Sequence, residues 1–287
     1  MARFAKGLAL AFGLMATLAI APAKPAARME AVDVELVIAT DVSPSIDGEE
    51  AQLQREGMAE AFLDPQVIQA IGAGSLGKIG VVYVDFSSRQ YNKIVVEWQV
   101  IKDRASAAAF AAAIRNAPPG YGRHTSISEA IELGAFLLEA NNLEGTKKVI
   151  DVSGDGPNNW GRAINEVRDE AIAKHITING LPIVEDEGFG TYRDLDKYFE
   201  NCVIGGSGAF VVVAKGFRDF ARAIRNKLIQ EIASLPAERG NPLLVRVAQT
   251  PPRLAAPGRP AAPRNGQGCQ NSAGFGGFNF NPPPSSR

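Results

Sequence analysis

The sequence predicts an α/β fold: a doubly wound, mostly parallel six-stranded sheet with one antiparallel edge strand and helices on both faces. Three observations carry this expectation. Short apolar runs rich in Val and Ile recur through residues 33–235 and alternate with segments of helical period, the pattern of strands covered on both sides by crossover helices. Two β-rich runs, 79–86 and 93–100, lie close enough to form a hairpin, which supplies the antiparallel pairing. No internal repeat and no second apolar body interrupts the series, so one domain over 32–234, long enough for a full core, accounts for it.

Taken in order, the chain opens with Arg3 and Lys6 before an apolar run over 7–20 that ends in Ala21-Pro22-Ala23. Basic, apolar and small segments in that order form a secretory signal peptide, 1–23. The run is shorter than the roughly 20 apolar residues of a spanning helix, so the expectation is export to the periplasm or beyond, with no stable membrane insertion after cleavage. The domain then begins with a strand at 34–39 and a helix at 49–63, followed by the hairpin strands. Helices are expected at 105–116 and 126–142, the second opened by Thr125 or Ser126 as its cap with Glu129 in the first turn. Next come a strand at 148–152, a helix at 162–174, a strand at 177–184, a helix at 192–199 and a strand at 209–213. The last helix, 217–232, places Phe217, Phe220, Ala221, Ile224 and Leu228 on one stripe.

Composition sets off the C-terminal segment 236–287, with ten Pro and seven Gly in 52 residues. Without apolar periodicity such a segment cannot offset its ordering entropy, and it is expected to be a disordered tail. Once Arg3 and Lys6 are removed with the leader, 28 basic and 31 acidic residues leave a net charge of −3. The tail, with six Arg and one Glu, carries +5, so the body carries about −8. An acidic body without a basic stripe or interleaved aromatics argues against nucleic-acid binding. The two cysteines, Cys202 in the body and Cys269 in the tail, fit no zinc or redox spacing. An exported compartment permits them to pair, but Cys202 is read here as a small buried apolar residue, leaving Cys269 a free thiol.

In open α/β sheets ligands sit beyond the carboxyl ends of the strands, where strand order reverses. After the first strand stands Asp41-Val42-Ser43-Pro44-Ser45, and after the fourth Ser153-Gly154-Asp155-Gly156-Pro157-Asn158. A third polar group, Gly122-Arg123-His124-Thr125-Ser126, lies at a helix entrance. Asp41, Ser43, Ser45, Thr125 and Asp155 together offer two carboxylates and three hydroxyls, an oxygen-only set suited to a hard divalent cation such as Mg²⁺, with Mn²⁺ or Ca²⁺ as alternatives. The alternating Asp-x-Ser-x-Ser spacing lets one loop turn three side chains toward a single point.

Asp-x-Ser-x-Ser after strand one, a Thr before a helix and Asp-Gly after strand four resemble the metal-ion-dependent adhesion site (MIDAS) of von Willebrand factor A (vWA) domains, and the likeness covers the whole body. The runs Val-Ile-Ala-Thr-Asp-Val-Ser-x-Ser, Val-Ile-Asp-Val-Ser-Gly-Asp-Gly-x-Asn-Asn and Val-Ile-Gly-Gly-x-Gly-Ala-Phe are similar to those of an exported bacterial vWA-like family of uncharacterised function. The resemblance implies that Ser43, Ser45 and Thr125 contact the metal directly, that Asp41 and Asp155 act mostly through water, and that a protein partner completes the shell with an acidic side chain. Arg123 and His124 depart from the small residues that many members carry before the Thr.

The function expected is therefore a cation-dependent protein-binding module used in adhesion or assembly. A periplasmic carrier of a small carboxylate and a metal-free scaffold are the alternatives. An enzyme is not expected. His124 and His175 are the only histidines, no Gly-x-Ser-x-Gly elbow follows a strand, and the one Gly-x-x-x-x-Gly-Lys run, 72–78, is followed by Ile79 and a strand rather than by the Ser or Thr and helix of a phosphate-binding loop. Asp151 lies inside a strand and is expected to have a local structural part.

Overall fold

The computed structural model describes residues 29–185, 192, 194–233 and 269. The expected leader, 1–23, and the tail 236–287 apart from Cys269 lie outside the described residues. Strand β1 (Glu30–Asp41) leads to α1 (Gly48–Leu63) and α2 (Pro65–Gly72), then to β2 (Ile79–Phe86), β3 (Lys93–Ile101) and α3 (Arg104–Asn116). The chain continues through α4 (Ile127–Glu139), β4 (Leu143–Gly154), α5 (Ile164–Ala173) and β5 (Ile176–Val184). It closes with α6 (Leu195–Tyr198), which runs on as a π turn over Phe199–Val203, then β6 (Ala214–Lys215) and α7 (Phe220–Ala233).

The six strands lie in the order β3-β2-β1-β4-β5-β6. Only β3 runs antiparallel to its neighbour, β2; the other pairs are parallel, which is the architecture expected. Alternation within each central strand divides the core in two. Leu36, Ile38, Val81, Tyr83 and Val149 point to one face, where Met58, Phe62, Phe110, Phe220 and Ile224 of α1, α3 and α7 cover them. Val37, Ala39, Val84, Ile150 and Val152 point to the other, under Ile131 and Leu138 of α4, Val167 of α5 and Phe199.

Helix α2 escaped the sequence reading although it carries its own signals: Asp64 accepts from the Gln66 N–H at 2.8 Å and Pro65 opens the first turn. The strand expected at 209–213 does not form. There, only Val211 bridges to Gly180, because the Phe210 N–H is taken by the Asn179 side chain at 3.1 Å rather than by a neighbouring strand; the edge strand is the two-residue β6, paired with Ile183 and Val184. The cysteine reading is also corrected. Cys202 and Cys269 form a disulfide with their Cα atoms 5.4 Å apart, and both sit within the core on the α5 face. Cys202 is thus buried as expected, but as half of a cystine that ties the tail to the body.

One charged group lies wholly inside. Lys227 of α7 places its Nζ 2.5 Å from Asp151 Oδ1 of β4 and 2.6 Å from Glu231 Oε1, one helical turn on. Asn179 of β5 donates to the same Glu231 oxygen at 2.8 Å. All three charged residues are at most 1% exposed. Burial and the neighbouring Glu231 raise the Asp151 pKa to about 7, against the attraction of Lys227. The group locks α7 to two strands, because removal of the lysine would take the ion-pair partner from Asp151 and leave its carboxyl enclosed without a cation in contact, a loss of about 3–5 kcal/mol.

The native Asp151 carboxyl keeps its proton to higher pH than the ordinary value of 3.8. The native state therefore binds more protons between about pH 4 and 7, and stability falls as pH rises through that window. Asp151→Asn leaves Lys227 and Glu231 as a balanced pair, so melts between pH 4 and 8 in chelator should show a shallower decline than wild type; parallel pH profiles would remove the buried carboxyl from this account.

Candidate cation site

The upper edge of the sheet is organised by β1, which is paired on both sides up to its end: Asp41 is level with Phe86 of β2, and Thr40 with Ser153 of β4. This is where chain order reverses, β1 leading to β2 on one side and lying beside β4 on the other. Asp41 is completely buried. Its Oδ1 accepts from the Ser43 N–H at 2.8 Å; its Oδ2 is buried with no hydrogen-bond partner. Gly154 makes the approach of β4 possible, since a Cβ there would lie 2.9 Å from Asp41 Oδ2.

From Asp41 the chain turns through 43–46, closed by the Ile46 N–H on the Ser43 carbonyl at 3.0 Å. The turn sets the Ser43 and Ser45 hydroxyls 3.2 Å apart, and Ser45 Oγ donates to Asp155 Oδ1 at 2.9 Å. Asp47 then ends the loop by capping α1: it accepts from the Glu49 and Glu50 N–H groups, and Glu50 answers by accepting from the Asp47 N–H. The loop is thereby held between a strand end and a helix start.

Thr125 reaches the same place from the other side. A Cβ on Gly156 would be 3.7 Å from Thr125 Oγ1, so the threonine hydroxyl borders the Asp155-Gly156 turn. Two hydrogen bonds with one residue hold it: the Thr125 N–H donates to Asn159 Oδ1 at 2.9 Å, and the Asn159 N–H donates to the Thr125 carbonyl at 2.8 Å. Asn158 receives the Ser128 N–H at 2.9 Å, and Ser126 caps α4. From β2, Ser87 braces the loop before Thr125, donating to the His124 carbonyl and accepting from the Arg123 and His124 N–H groups at 3.0 and 3.2 Å. Asn158, Asn159 and Ser87 were given no role from the sequence; the Asn-Asn pair after Asp-Gly was visible, but Ser128 and Thr125, whose N–H groups it accepts, are 30 and 34 residues away.

All five residues singled out therefore meet at one edge. Burial drives the Asp41 pKa well above the usual carboxylate range and Asp155 adds to the rise. Asp155 is raised by its own burial and, further, by Glu185. Two carboxylates that resist joint ionisation, three hydroxyls, an unpartnered buried oxygen and no cationic side chain in ion-pair contact among the described residues form a donor set that fits a hard divalent ion.

Ser87 also explains Gly122, where a Cβ would fall 1.9 Å from Ser87 Oγ. Gly122→Ala should displace the Ser87 brace and lower stability by roughly 2 kcal/mol, read as a fall in melting temperature; an unchanged melt would mean that the brace is dispensable.

A family model described as a protein of unknown function (DUF1194) matches residues 31–236. Among solved structures the chain is similar to the pilus adhesin SpaC from Lactobacillus rhamnosus GG, with a TM-score of 0.52 and 16% identity, over 70% of this chain and 31% of that one. It is similar to proximal thread matrix protein 1 from the mussel byssus with a zinc-occupied MIDAS motif, at 0.50 and 16% identity over 70% and 46% of the two chains. It is also similar to the vWF domain of the type V pili tip protein Mfa5 from Porphyromonas gingivalis, at 0.50 and 12% identity over 73% and 98%. At these identities the likeness is one of fold, and the chain spans about a third of the adhesin and about half of the byssus protein. No curated protein matches it.

Proposed function

The chain belongs to the DUF1194 family and has the fold of a vWA domain, and from that premise we propose that it is a divalent-cation-dependent protein-binding module acting outside the cytoplasm. Asp41, Ser43, Ser45, Thr125 and Asp155 hold Mg²⁺, or Mn²⁺ or Ca²⁺ in its place, and an acidic side chain of a partner protein completes the shell. The observation that carries this reading is Asp41 Oδ2, a buried carboxylate oxygen without a hydrogen-bond partner at the edge where the three hydroxyls and Asp155 gather. An unpaired buried acceptor costs about 1–3 kcal/mol or more when charged, and a bound cation removes that cost while offering a carboxylate ligand an open position. The chain's own residues bind and orient: Ser43 and Ser45 from one turn, Thr125 from a loop braced by Asn159 and Ser87.

A binding role rather than a catalytic one is supported by the histidines. His124 is stacked on Trp160, and His175 adopts a φ of 60° at the end of α5. Among the described residues neither side chain hydrogen-bonds a serine, as a nucleophile would require. An extracytoplasmic place is supported by the leader-like start of the sequence and by the disulfide. Among the described residues no helix is long and apolar enough to cross a membrane.

Calorimetric titration with Mg²⁺ and Mn²⁺, paired with melting in and out of chelator, tests the site. Wild type should bind one ion and melt higher when it does. Asp41→Ala or Asp155→Ala should abolish binding with little loss of apo stability, because each relieves the mutual repulsion; Ser43→Ala and Ser45→Ala should weaken it less, water replacing a neutral donor. Since both carboxyls hold protons above their usual range, protons compete with the ion and affinity should rise with pH through and above the ordinary carboxylate range. A wild type that neither binds a divalent ion nor changes its melting point is a metal-free vWA scaffold instead.

A further inference from the structure

We propose that the cation site opens beside a prebuilt aromatic platform, His124 stacked on Trp160, and that the partner segment it receives carries an aromatic or bulky apolar side chain next to its metal-seeking carboxylate. This rests on the cation-site reading above. The two rings are 4.3 Å apart and within 12° of parallel, and Trp160 remains 49% exposed. Their position follows from the backbone. Thr125 and Asn159 are joined by two hydrogen bonds, and His124 and Trp160 are the residues adjoining that junction. The platform therefore begins one residue from a proposed cation donor.

It is also rigid. The Trp160 carbonyl accepts from the Ser126 hydroxyl at 3.0 Å and the Ser128 hydroxyl at 3.3 Å, while Ser87 grips the backbone of His124. A surface already ordered loses little entropy on binding, and exposed aromatic rings beside a polar anchor are where binding energy concentrates in interfaces. Tyr192 borders Gly156 as Thr125 does, its Cε2 3.7 Å from a Cβ built there, and Tyr121 is 77% exposed on the loop leading to Arg123.

Charge selects the rest of the partner. Arg123 is exposed and forms no ion pair among the described residues, so it complements an acidic segment lying across the platform. The polar groups of this rim are turned inward. The Asn158 and Asn159 amides serve the Ser128 and Thr125 N–H groups, and the Ser126 and Ser128 hydroxyls serve Trp160. Few remain to read the hydroxyls of a sugar, whereas ring faces and a guanidinium suit a polypeptide of acidic and apolar side chains.

The full chain saturated with Mg²⁺ is titrated with acetate and with 3-phenylpropanoate, following affinity and the Trp160 indole N–H resonance. The phenyl compound should bind about tenfold more tightly, the order expected for seating one ring on an apolar surface, and should shift the indole signal. In Trp160→Ala the ratio of the two affinities should fall to about one, and in His124→Ala it should fall part of the way. Equal affinities in wild type, or a preference that survives Trp160→Ala, would overturn the proposal. So would methyl mannoside moving the Trp160 resonance while the phenyl compound does not, which would give the platform to a sugar. Failure of wild type to bind Mg²⁺ overturns the cation site and the platform together, whereas Mg²⁺ binding without a phenyl preference overturns the platform alone.

Discussion

At the end of β1 a carboxylate is carried into the interior by its own strand. With β2 paired along one side and β4 along the other, Asp41 is wholly buried, and its second oxygen finds no donor. The upper edge of the molecule is arranged round that group. Gly154 yields the space it needs, the 43–46 turn brings two hydroxyls to the same edge, and Asp155, directly after Gly154, accepts from one of them. An ionised carboxylate so placed is strongly disfavoured without a counter-charge, and this one constraint is what supports the proposal of a cation at the edge.

A second buried aspartate shows what the chain does when no ligand is intended. Asp151 lies within β4, four residues before Asp155, which follows the strand's end, and is also fully enclosed. There α7 supplies Lys227, and Asn179 and Glu231 complete the group. Near Asp41 and Asp155 the nearby charge is instead that of further carboxylates, since Glu50 and Glu185 both feel or add to the negative field. The aspartate inside β4 meets a lysine, whereas the one just past its end meets no cationic side chain in ion-pair contact among the described residues. The first secures a helix against the sheet; the second supports the proposal of a binding site.

The loops that complete the site are held by residues that touch no proposed ligand. Thr125 depends on Asn159, His124 on Ser87, and Trp160 on the hydroxyls at the start of α4. The same hydrogen bonds that aim the threonine hydroxyl also stack the imidazole on the indole, so the polar centre and its aromatic flank are one construction. The disulfide is a separate device on the α5 face, where Arg168 donates to the carbonyls of Asn201 and Cys202 at 3.0 and 3.2 Å and keeps the cystine segment against the helix.

Strand alternation, the hairpin and the five polar residues that meet at the sheet edge were legible in the sequence because each is written in local order: period two or period 3.6, a turn spacing, a cap beside a helix. Helix α2 was equally local, and its Asp-Pro start simply went unread. The Val-rich run at 209–213 shows the limit of such reading, because its propensity for a strand yields to a single side chain, Asn179, that claims the Phe210 N–H from 31 residues away. The cystine, the Lys227 group, and the Asn159 and Ser87 braces belong to the same class. Each joins residues more than 30 positions apart, and nothing in a linear spacing distinguishes one distant partner from another. Sequence alone determined which chemistry could gather at the sheet edge, since that depends on residue type and on position at the end of an element. Only the tertiary structure decided which oxygen is left without a partner, since burial and pairing are properties of the packed chain.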